Sequence, residues 1–513
     1  MKALKTAWTL GLALLFCASV AIAQDQKQDT SPIDPNAPLQ PLDTTPNGGT
    51  KGGGTNGANP NGPPVGAARG VDTVYDPQPY DPAQVTPDPN TLAGAAPFTL
   101  GSLQRTLNVF DPIISVSGVG QIVPGTTGKT ELTGNSVVSG SLNFNRSWSE
   151  YRFTTLYSGG ETFNLGYGSA TAFYGATSPH YQFHNLTISQ QADWARWHVL
   201  LRDDFTASPG AAFSGQGIGG PGLASQFSSL LGGSLTSFAQ SFLPSENINT
   251  AEAMRYRDSV LGQAQYSFSR RAEVTFAASY GLLHFTVPGF QNSKMFDVQA
   301  GYDYLLDPWN SVAILASYGK IDYTGTTAST SDYVVALAYG RKVTGKLAFQ
   351  AAVGPQEIQM VVPPGGTGNF HLWFVSANSA LTYKRRRGGI SINFVRGLTG
   401  GSGLFLGATS DTASMSSQYQ LSKHWSGSVN GGYSLNNSLV PAGVQSIQFN
   451  NWFAGANLGR QLGTHLAINF NYGALEQNNP SICTVATCGG SGLEQSVGMS
   501  LNWHLLPVGK EGR

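Results

Sequence analysis

The sequence predicts an all-β chain: an up-and-down antiparallel transmembrane β-barrel of about 18 strands, with 16 as the alternative count, behind a disordered N-terminal segment. Three observations predict it. Apolar and polar residues alternate through recurrent segments of about ten residues, and helical periodicity is nearly absent. The links between segments alternate between short and long. Charged residues make up only 11 % of the chain, against roughly 25 % in ordinary globular proteins.

The first 23 residues read as a secretory signal peptide. Lys2 and Lys5 supply the basic start, an apolar run follows from Ala7 to about Val20, and Ala21-Ile22-Ala23 is a small-residue cleavage site before Gln24. A membrane anchor is the alternative, against which the run is short. A lipid-bearing Cys17 is disfavoured by bulky Phe16 just before it. Beyond this segment no run of 18 apolar residues exists, so strands must do any spanning.

Residues 24–106 read as a disordered periplasmic tail. The stretch 24–99 holds 14 of the 28 prolines and the run GGTKGGGTNGANPNGPP, and it lacks the apolar side chains that offset ordering entropy. Residues 107–513 are assigned to the barrel. The alternating segments fall at 110–122, 136–147, 151–158, 179–190, 194–205, 254–268, 272–285, 293–305, 310–322, 331–343, 346–357, 370–383, 389–396, 409–421, 425–436, 447–459, 464–475 and 494–505. Short links such as 191–193, 269–271, 307–309 and 422–424 alternate with long ones such as 159–178, 206–253, 397–408 and 476–493. All short turns then lie at one end of the sheet, as the periplasmic turns of a membrane barrel do.

Tryptophan placement agrees. Trp148, Trp194, Trp197, Trp309, Trp425 and Trp503 all fall at the short-turn end, which suits an aromatic girdle at a membrane–water interface. The apolar parity of 297–319 (Val298, Ala300, Tyr302, Tyr304, then Val312, Ile314, Ala316, Tyr318) reads as lipid-facing. Ala336 and Ala338 are exceptions, being apolar on the inner parity.

On these features the chain resembles the Gram-negative outer-membrane β-barrel proteins, porin-like in general plan, over about residues 107–506. The resemblance implies outer-membrane localisation, contact with outer-membrane lipid and the barrel-assembly machinery, and passive passage of small hydrophilic solutes. A homo-oligomer is compatible with it. A plugged, non-conducting barrel with a structural or surface-interaction role is the alternative. The resemblance also draws attention to the third outer loop, 206–253, as a constriction, with Phe227, Leu230, Leu231, Phe238 and Phe242 as its apolar residues. The chain departs from the pattern in two ways. It continues past Trp503 with HLLPVGKEGR, and the loop has no charged residue between Asp204 and Glu246.

Pore-lining candidates are Arg196, Arg202, Asp204, Arg255, Arg257, Asp297 and Asp303, with Asp332 a further acid of the same set. Charges on an inner wall select solutes by their field. Mutual pairing that braces the wall is the competing role. Lys384-Arg385-Arg386-Arg387 reads as a solvated turn beside anionic headgroups. Cys483 and Cys488 suit a local disulfide in an oxidising compartment, and no histidine lies beside them to complete a metal site. No metal and no cofactor is expected. The balanced charge gives no reason to expect nucleic acid. The eight histidines are scattered and neither G-x-S-x-G in context nor HExxH occurs, so no enzyme is expected.

Overall fold

The computed structural model describes residues 109–505 apart from 125–129, 149, 165–179, 210–253, 287–289, 363–368, 386, 401–402, 404–405, 423, 440–446, 464 and 479–491. Eighteen strands follow one another: β1 Val109–Pro124, β2 Thr130–Trp148, β3 Tyr151–Asn164, β4 His180–Asp193, β5 Trp197–Pro209 and β6 Met254–Ser267. Next come β7 Ala272–Phe285, β8 Ser293–Asp307, β9 Asn310–Tyr323, β10 Ser329–Thr344, β11 Leu347–Val361 and β12 Phe370–Arg385. The last six are β13 Gly388–Thr399, β14 Ala408–Gln420, β15 Trp425–Ser438, β16 Gln448–Gln461, β17 Leu466–Asn478 and β18 Gly492–His504. Every strand pairs antiparallel with its sequence neighbours, and β1 pairs with both β2 and β18, so the sheet closes with no free edge. Closure satisfies the backbone groups that hydrocarbon cannot. Among the described residues no helix is long and apolar enough to cross a membrane.

All eighteen expected segments are strands, and several run further at the long-loop end. β2 starts at Thr130 rather than 136, and β3 continues to Asn164 rather than 158. Those extensions, TELTGN and GGETFN, lack a clear apolar alternation, while the ladder bonds still hold the chain extended.

Side-chain parity sorts the wall into two faces. Ile314, Val335, Leu337, Val353, Val429, Val497 and Leu501 are exposed on the outward face. Their strand neighbours Ala313, Ala336, Ala352, Ser434, Ser496 and Asn502 are buried on the inward one. Val298–Tyr304 and Val312–Tyr318 take the outward parity, and Ala336 and Ala338 pack inward with Ala313, Leu315 and Ala352.

The short turns share a device. Asp307 accepts the Trp309 and Asn310 backbone N–H groups (2.7 and 2.9 Å) and the Asn310 side-chain amide (2.7 Å). Ser269, Thr344 and Ser422 each accept two backbone N–H groups through the hydroxyl. A small oxygen-bearing residue at the turn thus replaces ladder partners that the bend removes. The Asn310 side-chain amide, followed by the Trp309 N–H, holds the Asp307 carboxyl below its ordinary range.

β11 carries a local irregularity. Pro355 has no N–H to give, and the ladder with β10 skips it, resuming at Gln356↔Val334 after Val353↔Leu337. Beside it Gly354 lies so close to β10 that a Cβ would strike the Val335 carbonyl.

Candidate functional site: the lumen and an inward loop

The inward face is divided by charge. From β13 to β17 no charged residue falls on the inward parity of any strand; Asn393, Ser414, Asn430, Ser434, Asn436, Asn451, Asn457 and Asn471 line it instead. Asn457 and Asn471 hydrogen-bond to each other across β16–β17. The opposite sector, β3 to β10, holds Arg152, Asp193, Arg202, Asp204, Arg255, Arg257, Glu273, Asp297, Asp303 and Asp332. The field across such a lumen runs from one wall to the other rather than around a ring.

Within the charged sector the expected residues have different situations. Arg196 lies in the turn between β4 and β5 and is exposed there. Arg202 and Asp204, both nearly buried, pair along one strand: Nε lies 2.6 Å from Oδ2 and Nη2 donates to Oδ1 at 2.8 Å. Thr187 of β4 also donates to Asp204 (2.7 Å). This is a brace between strands. Arg255 is 2 % exposed, and its guanidinium stands 5.9 Å from the Phe285 ring centre. Arg257 follows on the same face of β6. Asp297 of β8 and Asp332 of β10 are both in register with Gly319 of β9, and their carboxyls converge over that glycine. Gln356 donates to Asp332 at 3.0 Å. Asp303 faces Glu273, its direct partner across β7–β8, and is 1 % exposed. At the short-turn end, His198 and Asp193 bond at 2.9 Å.

The six expected tryptophans stand at the short-turn end, and three lie beneath basic groups. Arg146 lies 5.8 Å from Trp148, Lys342 5.7 Å from Trp309 and Arg460 5.2 Å from Trp425. Phe227, Leu230, Leu231, Phe238 and Phe242 lie outside the described residues, as do Cys483 and Cys488. No cluster of metal-holding side chains occurs among the described residues.

A different loop, between β13 and β14, reaches across the lumen. Gly403 accepts the Gln291 N–H (2.8 Å) and rests against the Phe285 ring, which a Cβ there would strike. The Leu406 carbonyl accepts the Thr330 hydroxyl (3.1 Å) and the Gly407 carbonyl accepts the Leu439 N–H (3.1 Å). Gly403 and Gly407 have φ of 77° and 112°, a left-handed backbone that glycine adopts without steric cost. Leu406 and Leu398 pack on Met295, Ile321 and Tyr323 from one side and on Ile358, Met360 and Leu439 from another. β7 is six strands from β13 in the closed wall, so contact between this loop and Phe285 must cross the outer half of the interior. The sequence pointed instead to 206–253, of which 210–253 lie outside the described residues. The sequence signal for this contact was the set Met295, Ile321, Ile358 and Met360, bulky apolar residues on the inner parity near the long-loop ends of their strands.

No protein-family model and no curated protein matches the chain. Among solved structures it is similar to OccAB2 of Acinetobacter baumannii, at 10 % identity and TM-score 0.38, over 78 % of this chain and 99 % of that one. It is also similar to OccK2 (OpdF) of Pseudomonas aeruginosa in complex with glucuronate, at 9 % identity and TM-score 0.38, over 79 % and 100 %. The outer membrane protein OpdK of Pseudomonas aeruginosa follows at 7 % identity and TM-score 0.36, over 77 % and 98 %. Likeness at this level adds nothing to the barrel's own geometry. Closed, eighteen-stranded, apolar outside and largely polar inside, the chain has the build of a membrane-spanning antiparallel β-barrel.

Proposed function

We propose that this barrel is a passive diffusion channel for small hydrophilic solutes, narrowed near its outer mouth by the β13–β14 loop. The observation that carries the reading is the polar inner wall of β13–β17, amide and hydroxyl with no charge. Such a wall offers exchangeable hydrogen bonds without the strong binding that would hold a solute in place. The charged sector opposite gives passing solutes an orientation. In this reading the signal peptide is removed before Gln24, the 24–106 tail lies in the periplasm and the tryptophan layer marks the periplasmic interface. Cys483 and Cys488 form a disulfide in an outer loop, and no chemistry is catalysed.

A second reading, the plugged barrel, has its own support. Inward polar side chains such as Ser434, Asn436 and Asn451 are almost wholly buried, which suits a crowded interior. Proteoliposome swelling separates the two. With the full chain inserted, swelling in isotonic monosaccharide should exceed that in a trisaccharide. Absence of swelling with every sugar tested, alongside a folded barrel, would favour the plug.

A further inference from the structure

The outward face is not uniformly suited to lipid. At mid-height along β8–β11 it carries Tyr302, Ile314, Leu337 and Val353, with Lys294, Lys320, Asp322 and Glu357 towards the long-loop end. Along β3–β6 the same face carries Thr155, Glu161, His184, Gln190, Asp203 and Asp258. Asp203 shares its parity with exposed Trp197 and Leu201, and Asp258 shares its parity with exposed Tyr256 and Val260. The two residues are diagonal neighbours across β5–β6, and Oδ1 of each is buried without a hydrogen-bond partner. Their outward neighbours in register are Ile188, Phe205, Val260 and Leu282.

Height matters here. Asp203 stands six residues above Trp197 on β5. At about 3.3 Å per residue and a tilt of about 40°, that is roughly 15 Å above the tryptophan layer, within an apolar band about 25 Å tall. Hydrocarbon gives such groups no hydrogen bonds. The other charged outward pair at mid-height, Arg396 and Asp411, neutralises itself at 3.5 Å. The β5–β6 pair contains only acids.

The strip is complementary to a second copy of itself. His184 and Asp258 flank β5 on β4 and β6, and each lies nine residues from the short-turn end of its strand, Asp193 and Ser267. A twofold axis along the membrane normal beside β5 sets β4 of one copy against β6 of the other. The imidazole of each copy then meets the Asp258 carboxyl of its mate at one height. Tyr157 already bonds His184 Nδ1 at 3.1 Å, so this contact falls to Nε2. Two strands out, Glu161 of β3 approaches His284 of β7 by the same symmetry. Gly262, above which a Cβ would meet nothing, and Ala264 leave room for close approach. We infer that the outward face of β3–β6 is the contact between two copies of this chain in the membrane.

Cysteine cross-linking tests it in outer-membrane fractions, in a background carrying Cys483→Ser and Cys488→Ser. Phe205→Cys, on the outward face of β5, should give a disulfide-linked species of twice the chain mass on mild oxidation. Val335→Cys, outward on β10, should stay monomeric. Adding Asp203→Leu with Asp258→Leu should reduce the Phe205→Cys cross-link severalfold while heat-modifiable migration shows the barrel intact. If that double variant fails to fold, His184→Leu provides the same comparison and should also weaken the cross-link. Absence of a Phe205→Cys dimer, equal linkage at Val335→Cys, or linkage to a protein of different mass would overturn the inference.

Discussion

Replacing residues 400–407 with a two-residue turn should raise single-channel conductance severalfold and relax discrimination between small and large sugars. The segment reaches from β13 to Phe285, Gln291, Thr330 and Leu439, so removing it opens the outer half of the lumen while the wall's ladder stays closed. A milder change acts in the same direction. Leu406→Ser removes an apolar anchor worth about 2 kcal/mol of burial and sets a hydroxyl among Met295, Ile321 and Met360. It should yield a noisier channel that switches between conductance levels, because the loop then has alternatives close in energy. Unchanged conductance in both variants would show that the loop does not lie in the conduction path.

Asp204→Ala should be the most damaging single substitution in the charged sector. It leaves the Arg202 guanidinium, 5 % exposed, without its ion-pair partner, and leaves Thr187 without its acceptor. Breaking a buried pair from one side costs about 3–5 kcal/mol. Arg202→Met with Asp204→Leu should recover most of that loss, since no unpaired charge remains. The measurement is the urea midpoint for loss of heat-modifiable migration in each variant. If the single and double substitutions destabilise equally, the pair is not the brace its geometry implies. In the double variant channel selectivity should change little, because two charges that neutralise each other at 2.6 Å project little field into the lumen, so removing both leaves the field nearly as it was.

The wall was legible in the sequence because lipid imposes a strict period of two. One slipped residue would turn an entire apolar set inward, so the alternation at Val312–Tyr318 or Val497–Leu505 reports face directly. The strand ends at the long-loop side were less legible. Thr130–Asn135, TELTGN, has a single bulky apolar residue and so no alternation to read. Parity also placed Arg202 and Asp204 on one face, but only their separation makes them a brace. The inward loop was hidden for another reason. GGSGLFLG has the composition of any outer loop, and its destination is set by Met295, Ile321, Ile358 and Met360 on strands far from it in sequence. Such a contact leaves no local period. The polar strip on β3–β6 was visible residue by residue, but its meaning depends on register and height, which only the closed barrel supplies.

The central claim is a continuous aqueous path along the neutral wall. Substituted-cysteine accessibility during planar-bilayer recording tests it most directly, with Cys483 and Cys488 replaced by serine. Asn393→Cys and Ser414→Cys face inward; Ile392→Cys and Met415→Cys are their outward neighbours. A charged, water-soluble thiol reagent should reduce current through the two inward variants and leave the outward two unaffected. A barrel that passes no current before or after removal of residues 400–407, or one in which the outward cysteines alone react, would contradict the account.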